Sequence, residues 1–504
     1  MSKPSTIPAP FKGINARDSV NLLGKGEAVE LVNWIPFPDK LTLRLGSTVH
    51  ATGFSGAPKC LLPFNSPTTG SNLFAGNASG IFDVTSAGAI GASVATLTNG
   101  ECSPVNFSTA ALNYLYVLNG VDTPKLYNGT TWQSVTDVSA PIAITGVTTS
   151  ELFAGMSFKT RLHFLRKEYA GFYYIPSGQA GGAATAFPLG QYLTKGGYIV
   201  AQNAWTIDGG SGQDDLYVLI SSEGEVVIFG GTDPAAPSTW ALKGVFQFAR
   251  PMGKNCLLKQ GGDLLILTES GIFPLSKSLL TSNAASISAI TDKINRLITS
   301  ATARLGSSWS WQLYSHLAGP FLIVNTPESY GLQFVVHSQT GAWCKFEGWV
   351  SNCFCSFQGT TYMCVGTTVM KAFSGYTDNG VSIYGKAITA FNYFSGSGAV
   401  LTSEALRCLF LAAGSFNYGV ELLTGFETGV AIVDTQEGIS GAAIWDAFDW
   451  DEVAWAGESS PTRNWITPPH NPDPEMALAL IATSQGDLSW LSTDYLWSSG
   501  SALA

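Results

Sequence analysis

The stretch LYVLISSEGEVVIF, residues 216–229, contains two apolar segments separated by the turn Ser222-Glu223-Gly224. Both segments are rich in β-branched and aromatic residues, which favour strands, and a glycine with polar neighbours favours a tight turn. The stretch therefore predicts a β-hairpin between residues 216–220 and residues 225–229. Because one hairpin cannot bury its own apolar face, it has to pack against further sheets.

The same unit occurs seven times along the chain. Its first segments begin at residues 73, 114, 162, 216, 264, 321 and 362, and its second segments begin at residues 80, 125, 171, 225, 271, 332 and 369. The first segments begin 41 to 57 residues apart. Hairpins that recur with a period of roughly 40 to 50 residues, with insertions in the longer intervals, are typical of propeller blades and indicate a β-propeller. The predicted fold is mainly all-β, an irregular β-propeller of about six to eight blades, because either flank can lend a strand to the closing blade.

The flanks of the repeat define the predicted domains. Residues 56–380 form the propeller, with one inserted helix near residues 285–305, where apolar residues recur at steps of three and four. Residues 381–504 form a C-terminal, β-rich platform domain that contains an acidic, tryptophan-rich segment. We expect the N-terminal segment, residues 1–55, to pack with this platform because the ends of a chain often lie close together.

The composition excludes several classes of protein. Charged residues make up 12% of the chain, about half the usual share of about 25%, and hydrophobic residues make up 45%. This balance excludes a disordered chain and a coiled coil. The net charge of −10 does not provide the positive surface that a DNA-reading protein needs. No sufficiently long apolar segment is present, so we predict neither a signal peptide nor a membrane segment.

The eight cysteines include one cluster with a regular spacing. Cys344, Cys353, Cys355 and Cys364 form C-x8-C-x-C-x8-C. If Cys353 and Cys355 lie on one strand, their side chains share a face, and neighbouring strands could complete a four-thiolate metal site. The spacing is not a usual zinc pattern, and the alternative is that these residues fill the interior between blade strands. We predict that the cysteines are reduced and that the protein holds no cofactor.

An acidic segment accounts for most of the net charge. Residues 431–480 contain nine acidic residues and one basic residue, Arg463. Three interpretations stay open: a solvated face, a calcium site, or an acidic wall along a channel that keeps passing DNA from sticking. The candidate channel-facing or surface residues are Asp446, Asp449, Asp451 and Glu452. The interleaved tryptophans are candidates for a subunit interface or a domain core: Trp445, Trp450 and Trp455.

Motifs of catalysis are missing from the sequence. Gly-Lys pairs occur at residues 24–25, 253–254 and 385–386, but none is followed by the Ser or Thr of a phosphate-binding loop. The sequence contains neither GxSxG nor HExxH, and its five histidines are far apart. We therefore predict that the protein is not an enzyme.

Five stretches carry a resemblance to a known family. They are GINARD (13–18), AVELVNWIP (28–36), LTLRLG (41–46), TDKIN (291–295) and the segment 443–499 with its spaced tryptophans. Together they resemble the propeller-bearing tail nozzle proteins of short-tailed phages, also called tail tubular protein B. None of the stretches is a catalytic motif, so no functional residue is carried over individually.

The resemblance implies a structural virion protein that forms the nozzle, or distal tail tube. Such proteins form a ring of six copies below the adaptor ring at the portal, dock fibres or spikes, and enclose the channel for genome retention and ejection. We thus expect a homohexamer in the virion tail, assembled in the host cytoplasm, through which genomic DNA passes without sequence-specific binding. The alternative is a β-propeller module of the virion that binds a receptor or a glycan through its central pocket or loops.

Overall fold

The computed structural model describes residues 2–208, 213–279, 289–316, 319–394, 399–430, 432, 436–438, 460–461, 464–467 and 472–500. Within these residues the chain is built almost entirely of strands, with one α-helix and a few short 3-10 turns. The chain begins with five strands: β1 (Lys3–Pro8), β2 (Ala28–Val32), β3 (Trp34–Pro36), β4 (Leu41–Leu43) and β5 (Ser47–Thr52).

Seven antiparallel sheets follow, and each is one blade of a propeller. Every blade contains the hairpin predicted from the sequence as its second and third strands, because the alternating apolar residues and the polar turns are local signals. The first three blades consist of β6 (Cys60–Phe64), β7 (Asn72–Asn77) and β8 (Gly80–Asp83) in blade 1; β10 (Ser103–Ser108), β11 (Asn113–Leu118), β12 (Lys125–Tyr127) and β13 (Trp132–Ser134) in blade 2; and β15 (Leu152–Phe158), β16 (Arg161–Arg166), β17 (Gly171–Tyr174) and β19 (Thr185–Pro188) in blade 3. Three short strands lie between these strands in the chain: β9 (Gly88–Ala89), β14 (Ile144–Thr145) and β18 (Gly182–Ala183). The other four blades consist of β20 (Ile199–Asp208), β21 (Gln213–Ser221), β22 (Glu225–Gly231) and β23 (Trp240–Gln247) in blade 4; β24 (Leu257–Gln260), β25 (Asp263–Thr268) and β26 (Gly271–Pro274) in blade 5; β27 (Gln312–His316), β28 (Phe321–Asn325), β29 (Leu332–His337) and β30 (Ala342–Glu347) in blade 6; and β31 (Ser351–Phe357), β32 (Thr360–Val365) and β33 (Thr368–Ala372) in blade 7.

The seven blades form a closed ring. Their first strands contact one another in the order β6, β10, β15, β20, β24, β27 and β31, and β31 in turn contacts β6. Apolar side chains between adjacent blades are buried, for example Tyr217 and Phe172 between blades 4 and 3, whose ring centroids lie 5.1 Å apart. The prediction of a mainly all-β propeller with one inserted helix is confirmed, with seven blades.

Strand β5 closes the ring from the other end of the chain. It pairs antiparallel with β33 as the fourth strand of blade 7, with Val49 opposite Met370 and Ala51 opposite Val369. Ala51 is buried in an apolar cluster between blades 7 and 1. Residues 47–52 thus belong to the propeller although the sequence boundary at residue 55 assigned them to the N-terminal segment. The sequence boundary missed this strand because β5 is placed by its ladder with the distant β33, and its six residues show no periodicity of their own.

The helix is shorter than the predicted one within the described residues. It covers Asn295–Leu305 (α1) after a 3-10 turn at Asp292–Ile294, while residues 280–288 lie outside the described part of the chain. Gly306, with φ +65°, ends the helix, and its N–H binds the carbonyl of Thr302. No described helix has the length and apolar character needed to cross a membrane.

The remaining strands build a β-sandwich, which we call the platform. They are β34 (Thr377–Asp378), β35 (Val381–Thr389), β36 (Leu401–Ala412), β37 (Phe416–Leu423), β38 (Gln436–Gly438), β39 (Ser460–Pro461), β40 (Ala477–Ser484) and β41 (Leu488–Ser499). One layer has the order β2-β35-β40-β37, and the other has the order β3-β4-β41-β36, with β1 also paired to β41. Strands from both ends of the chain therefore share each layer.

The two layers of the platform approach each other closely. The ring of Phe410 in one layer lies 5.2 Å from the ring of Phe416 in the other. At Gly385 an added Cβ would stand 2.6 Å from a methyl of Leu43 and 2.7 Å from Nε1 of Trp34. Only glycine leaves room for the opposite layer at this position.

The platform is joined to blade 6 by the N-terminal segment. Val32 of β2 pairs in parallel with Lys345 of β30, and the N–H of Asn33 binds the carbonyl of Lys345 at 2.8 Å. Glu30 lies 2.8 Å from the ammonium of Lys386 in the platform and 3.8 Å from that of Lys345 in blade 6. Strand β2 consequently holds the platform against one particular blade.

Candidate ligand-binding cavity

A cavity of about 560 Å³ opens on one face of the propeller. It is lined by the loops that join the second strand of a blade to the third, and by the segments that lead into the next blade. We call it the loop-face cavity. Its lining residues include Asn99, Glu101, Asn119, Gly120, Phe153, Lys167, Glu168, Tyr198, Ser222, Arg250, Gly253, Lys254, Glu269, Ser308 and Trp309.

Lys254 lies where this cavity meets the interior of the ring. A smaller cavity of about 230 Å³ runs along the first strands of blades 2 to 6, and Lys254 lines both. Its ammonium lies 4.5 Å from the ring centroid of Phe153 and 5.9 Å from that of Trp309. Burial lowers the pKa of Lys254, with nearby Lys167 acting in the same direction and Glu101 opposing it. The rings supply part of the stabilisation that water would otherwise give the ammonium.

The wall beside Lys254 is fixed by hydrogen bonds. Nε1 of Trp309 donates to the carbonyl of Lys59 at 3.0 Å, and the ammonium of Lys59 pairs with Glu101 at 2.8 Å. Nδ2 of Asn119 donates to the carbonyl of Asn99 at 3.0 Å. These bonds hold the segments that lead into blades 1, 2 and 6, and one loop of blade 2, in one arrangement.

Gly120 is required where the loop of blade 2 passes blade 3. Its φ is +74°, a conformation that other residues rarely adopt, and an added Cβ would lie 2.8 Å from the Cβ of Phe153. The glycine therefore keeps Phe153 in place beneath Lys254.

The rim of the cavity carries exposed charges and one exposed ring. Arg250 pairs with Glu223 at 2.8 Å, while the side chains of Lys167, Glu168 and Glu269 are exposed. Tyr198 is 41% exposed at the entrance. The arrangement combines aromatic faces, hydrogen-bonding groups and both signs of charge, which suits a polar ligand with apolar faces.

The site residues predicted from the sequence lie outside the part of the chain that the structure describes. All seven fall in residues 439–459: Asp446, Asp449, Asp451, Glu452, Trp445, Trp450 and Trp455. Their roles as a channel wall, a surface or an interface therefore stay predictions.

The four-cysteine cluster does not converge. Sγ of Cys353 lies 3.6 Å from Sγ of Cys364, and both pack with Cys355 between blades 7 and 1. Cys344 lies in blade 6 and belongs to a different apolar cluster. Over the described part of the chain, His, Cys, Asp and Glu form no group of three or more with a geometry for metal binding. These thiols fill the spaces between strands.

The cavity was missed by sequence reasoning because its residues come from many separate loops. One signal is present in the sequence: the pair Gly253-Lys254, although Asn255 follows it where a phosphate-binding loop needs Ser or Thr. Lys254 lies shortly before the first strand of blade 5, and the first strands of neighbouring blades contact one another around the ring. Repeat position, rather than a motif, would have identified Lys254.

Comparisons with known proteins give no family. No family model matches the chain, and no curated protein matches it. Among solved structures, the chain is similar to YCF48 from Cyanidioschyzon merolae (10% identity, 67% of this chain and 97% of that chain, TM-score 0.35). It is also similar to U3-55K (10% identity, 66% of this chain and 98% of that chain, TM-score 0.39). A third similar structure is the β-propeller domain of Cps50 (Swd1) from Myceliophteria thermophila (10% identity, 64% of this chain and 98% of that chain, TM-score 0.38). The closed ring of seven blades itself identifies the chain as a β-propeller protein.

Proposed function

We propose that the propeller is a recognition module and that the loop-face cavity binds a receptor or glycan group. The observation that carries the proposal is Lys254, which lies over Phe153 and near Trp309 in a cavity of about 560 Å³. Sites for small molecules commonly measure about 300 to 1,000 Å³ and combine apolar walls with a few polar groups. The hydrogen-bonded wall supports the proposal because a preformed site loses less entropy when a ligand binds.

The test is a saccharide array probed with labelled protein, with two matched tyrosines as variants. Tyr198 at the entrance is 41% exposed, and Tyr376, outside the cavity, is 43% exposed. We expect Tyr198→Ala to weaken binding at least fivefold and Tyr376→Ala to leave it unchanged. Binding that neither substitution alters, or no binding to any saccharide, would contradict a glycan site in this cavity.

A second proposal is the tail nozzle that the sequence resemblance implies. The platform favours it: strands β1 to β4 and β35 to β41 form one body fixed to blade 6, which gives each copy a second surface for ring assembly. In this proposal the chain has no catalytic role, forms a homohexamer below the adaptor ring in the virion tail, docks fibres or spikes, and lets genomic DNA pass. The two proposals are compatible, since the cavity would then recognise a group outside the channel.

Electron cryo-microscopy of purified particles, with mass photometry of the isolated chain, tests the nozzle. We expect rings of six copies at the end of a short tail. A monomer that is absent from virions would contradict the nozzle and leave the recognition module as the single proposal. A ring would leave the tyrosine experiment to decide the function of the cavity.

A further inference from the structure

The ammonium of Lys254 is available to a ligand. Glu101, an acidic side chain of the wall whose charge acts on Lys254, is engaged by Lys59 at 2.8 Å, and Arg250 at the rim is engaged by Glu223. Over the described residues, Nζ of Lys254 has neither an ion-pair partner nor a hydrogen bond. It lies over the ring of Phe153 and near that of Trp309. A half-buried ammonium that faces a cavity gains most from an anionic group, because water screens the attraction less there.

The surroundings of Lys254 favour an anion of low charge. Glu101, Glu168 and Glu269 line the same cavity. They would repel a doubly charged phosphate more strongly than a singly charged carboxylate. Gly253 carries a φ of +140°, but its loop leads into a strand and not into a helix N-terminus, which would favour phosphate.

The remaining lining groups match a sugar. The glutamates can accept hydrogen bonds from hydroxyl groups, and the side chains of Asn99 and Ser222 can both accept and donate them. Oγ of Ser308 is buried at the cavity wall and has no hydrogen-bond partner among the described residues. The exposed ring of Tyr198 and the partly exposed ring of Trp309 offer faces to the C–H side of a pyranose ring.

We propose that the loop-face cavity binds a saccharide that carries a carboxylate, a uronic acid unit, with the carboxylate at the ammonium of Lys254. This inference rests on the proposed recognition function and names its ligand class. The sugar ring lies towards Tyr198 and Trp309, and its hydroxyls reach Asn99, Ser222 and the glutamates. No bond is made or broken, so the site recognises the sugar without altering it.

The experiment is isothermal titration calorimetry of the full chain with the methyl glycoside of galacturonic acid and with its methyl ester, which keeps every hydroxyl of the sugar but loses the charge. We expect the acid to bind and the ester to bind at least tenfold more weakly. Lys254→Met, which keeps most of the apolar stem but removes the ammonium, should weaken binding of the acid at least tenfold and leave binding of the ester unchanged. Lys243→Met, an exposed lysine of β23 outside the cavity, is the matched control and should bind like the wild type.

Each other result overturns the inference. Equal affinities for acid and ester would contradict recognition of the carboxylate while leaving a glycan site in place. Tight binding of the acid by Lys254→Met, with its unfolding midpoint unchanged, would contradict the role of Lys254. If neither sugar binds, the assignment of a uronic acid as the ligand is wrong. The tyrosine variants on the saccharide array then decide separately whether the cavity recognises other glycans.

Discussion

The guanidinium of Arg44 donates two hydrogen bonds to the carboxylate of Asp378, from Nη2 to Oδ2 at 2.6 Å and from Nη1 to Oδ1 at 3.1 Å. Arg44 is 2% exposed and lies over the ring of Trp349, 4.4 Å from its centroid. Its Nε donates to Asn33. Burial alone would raise the pKa of Asp378, but the bonds and charge of Arg44, with bonds from Trp349 and Ser47, hold it below its ordinary value. One ion pair therefore ties the N-terminal segment to the junction of propeller and platform.

Loss of the Arg44 guanidinium is expected to destabilise the whole protein. Arg44→Met leaves the carboxylate of Asp378 without its cationic partner, which typically costs about 3 to 5 kcal/mol for a buried pair. Urea denaturation followed by tryptophan fluorescence measures the loss. Arg296→Met, at an exposed arginine of α1, is the control and should change the unfolding free energy by less than about 0.5 kcal/mol. Equal effects of the two substitutions would show that the pair does not stabilise the junction.

The closing strand gives a prediction with two adjacent residues. Ala51 of β5 points into the cluster between blades 7 and 1, whereas Thr52 is exposed. Ala51→Asp places an unpaired carboxylate in that cluster and should lower the unfolding free energy by about 3 kcal/mol or more. Thr52→Asp should change it by about 0.5 kcal/mol or less. If both variants unfold at the same urea concentration, β5 does not seal the ring.

His163 makes the propeller sensitive to acid. It is 1% exposed among the rings of Phe172, Tyr217 and Trp240, and burial, with a smaller contribution from Arg161, lowers its pKa to about 3. Between pH 6.5 and about 3 the unfolded chain binds a proton that the folded chain does not. The contribution of His163 to the unfolding free energy should therefore fall by about 1.4 kcal/mol for each pH unit below 6.5.

The variant His163→Leu isolates that contribution. Denaturation at pH 7, 6 and 5 should show that the unfolding free energy of the wild type falls more steeply on acidification than that of the variant, because the variant lacks the titrating imidazole. If the two proteins lose stability in parallel, other groups account for the acid sensitivity.

The cysteines should be inert in the folded protein. All eight are free thiols, and seven of them are buried, while Cys355 is partly exposed. Burial raises the pKa of Cys256 to about 12 and also raises that of Cys355, so few thiolates are present at pH 7. A thiol-specific reagent should label at most one cysteine in the native chain and all eight in urea. Rapid labelling of several native thiols would contradict the packing between blades.

The parts of the fold that the sequence predicts are the local ones. The hairpin at residues 216–229 is specified by its own apolar segments and its turn, so β21 and β22 form where expected. Strand β5 could not be assigned, because its partner β33 lies more than 300 residues away and the pairing is set by tertiary packing. The pairing of β2 with β35 within one layer of the platform is non-local in the same way.

The candidate site could not be assembled from the sequence for a related reason. Phe153, Lys254 and Trp309 come from three different blade junctions, and each residue alone has an ordinary explanation. Their proximity is a property of the closed ring. The acidic and tryptophan-rich segment, by contrast, stands out in the sequence because its residues are contiguous, and its function remains a prediction that the particle experiment addresses.

The late pairing of β5 has a consequence for synthesis on the ribosome. Ser47–Thr52 is made early, but its partner Thr368–Ala372 follows more than 300 residues later. At about 5 to 20 residues per second, β5 waits for its partner β33 for roughly 15 to 60 seconds. During that time β5 is an open edge that neighbouring nascent chains can pair with. Any product terminated before residue 368 keeps that edge permanently, so early termination yields an aggregation-prone fragment.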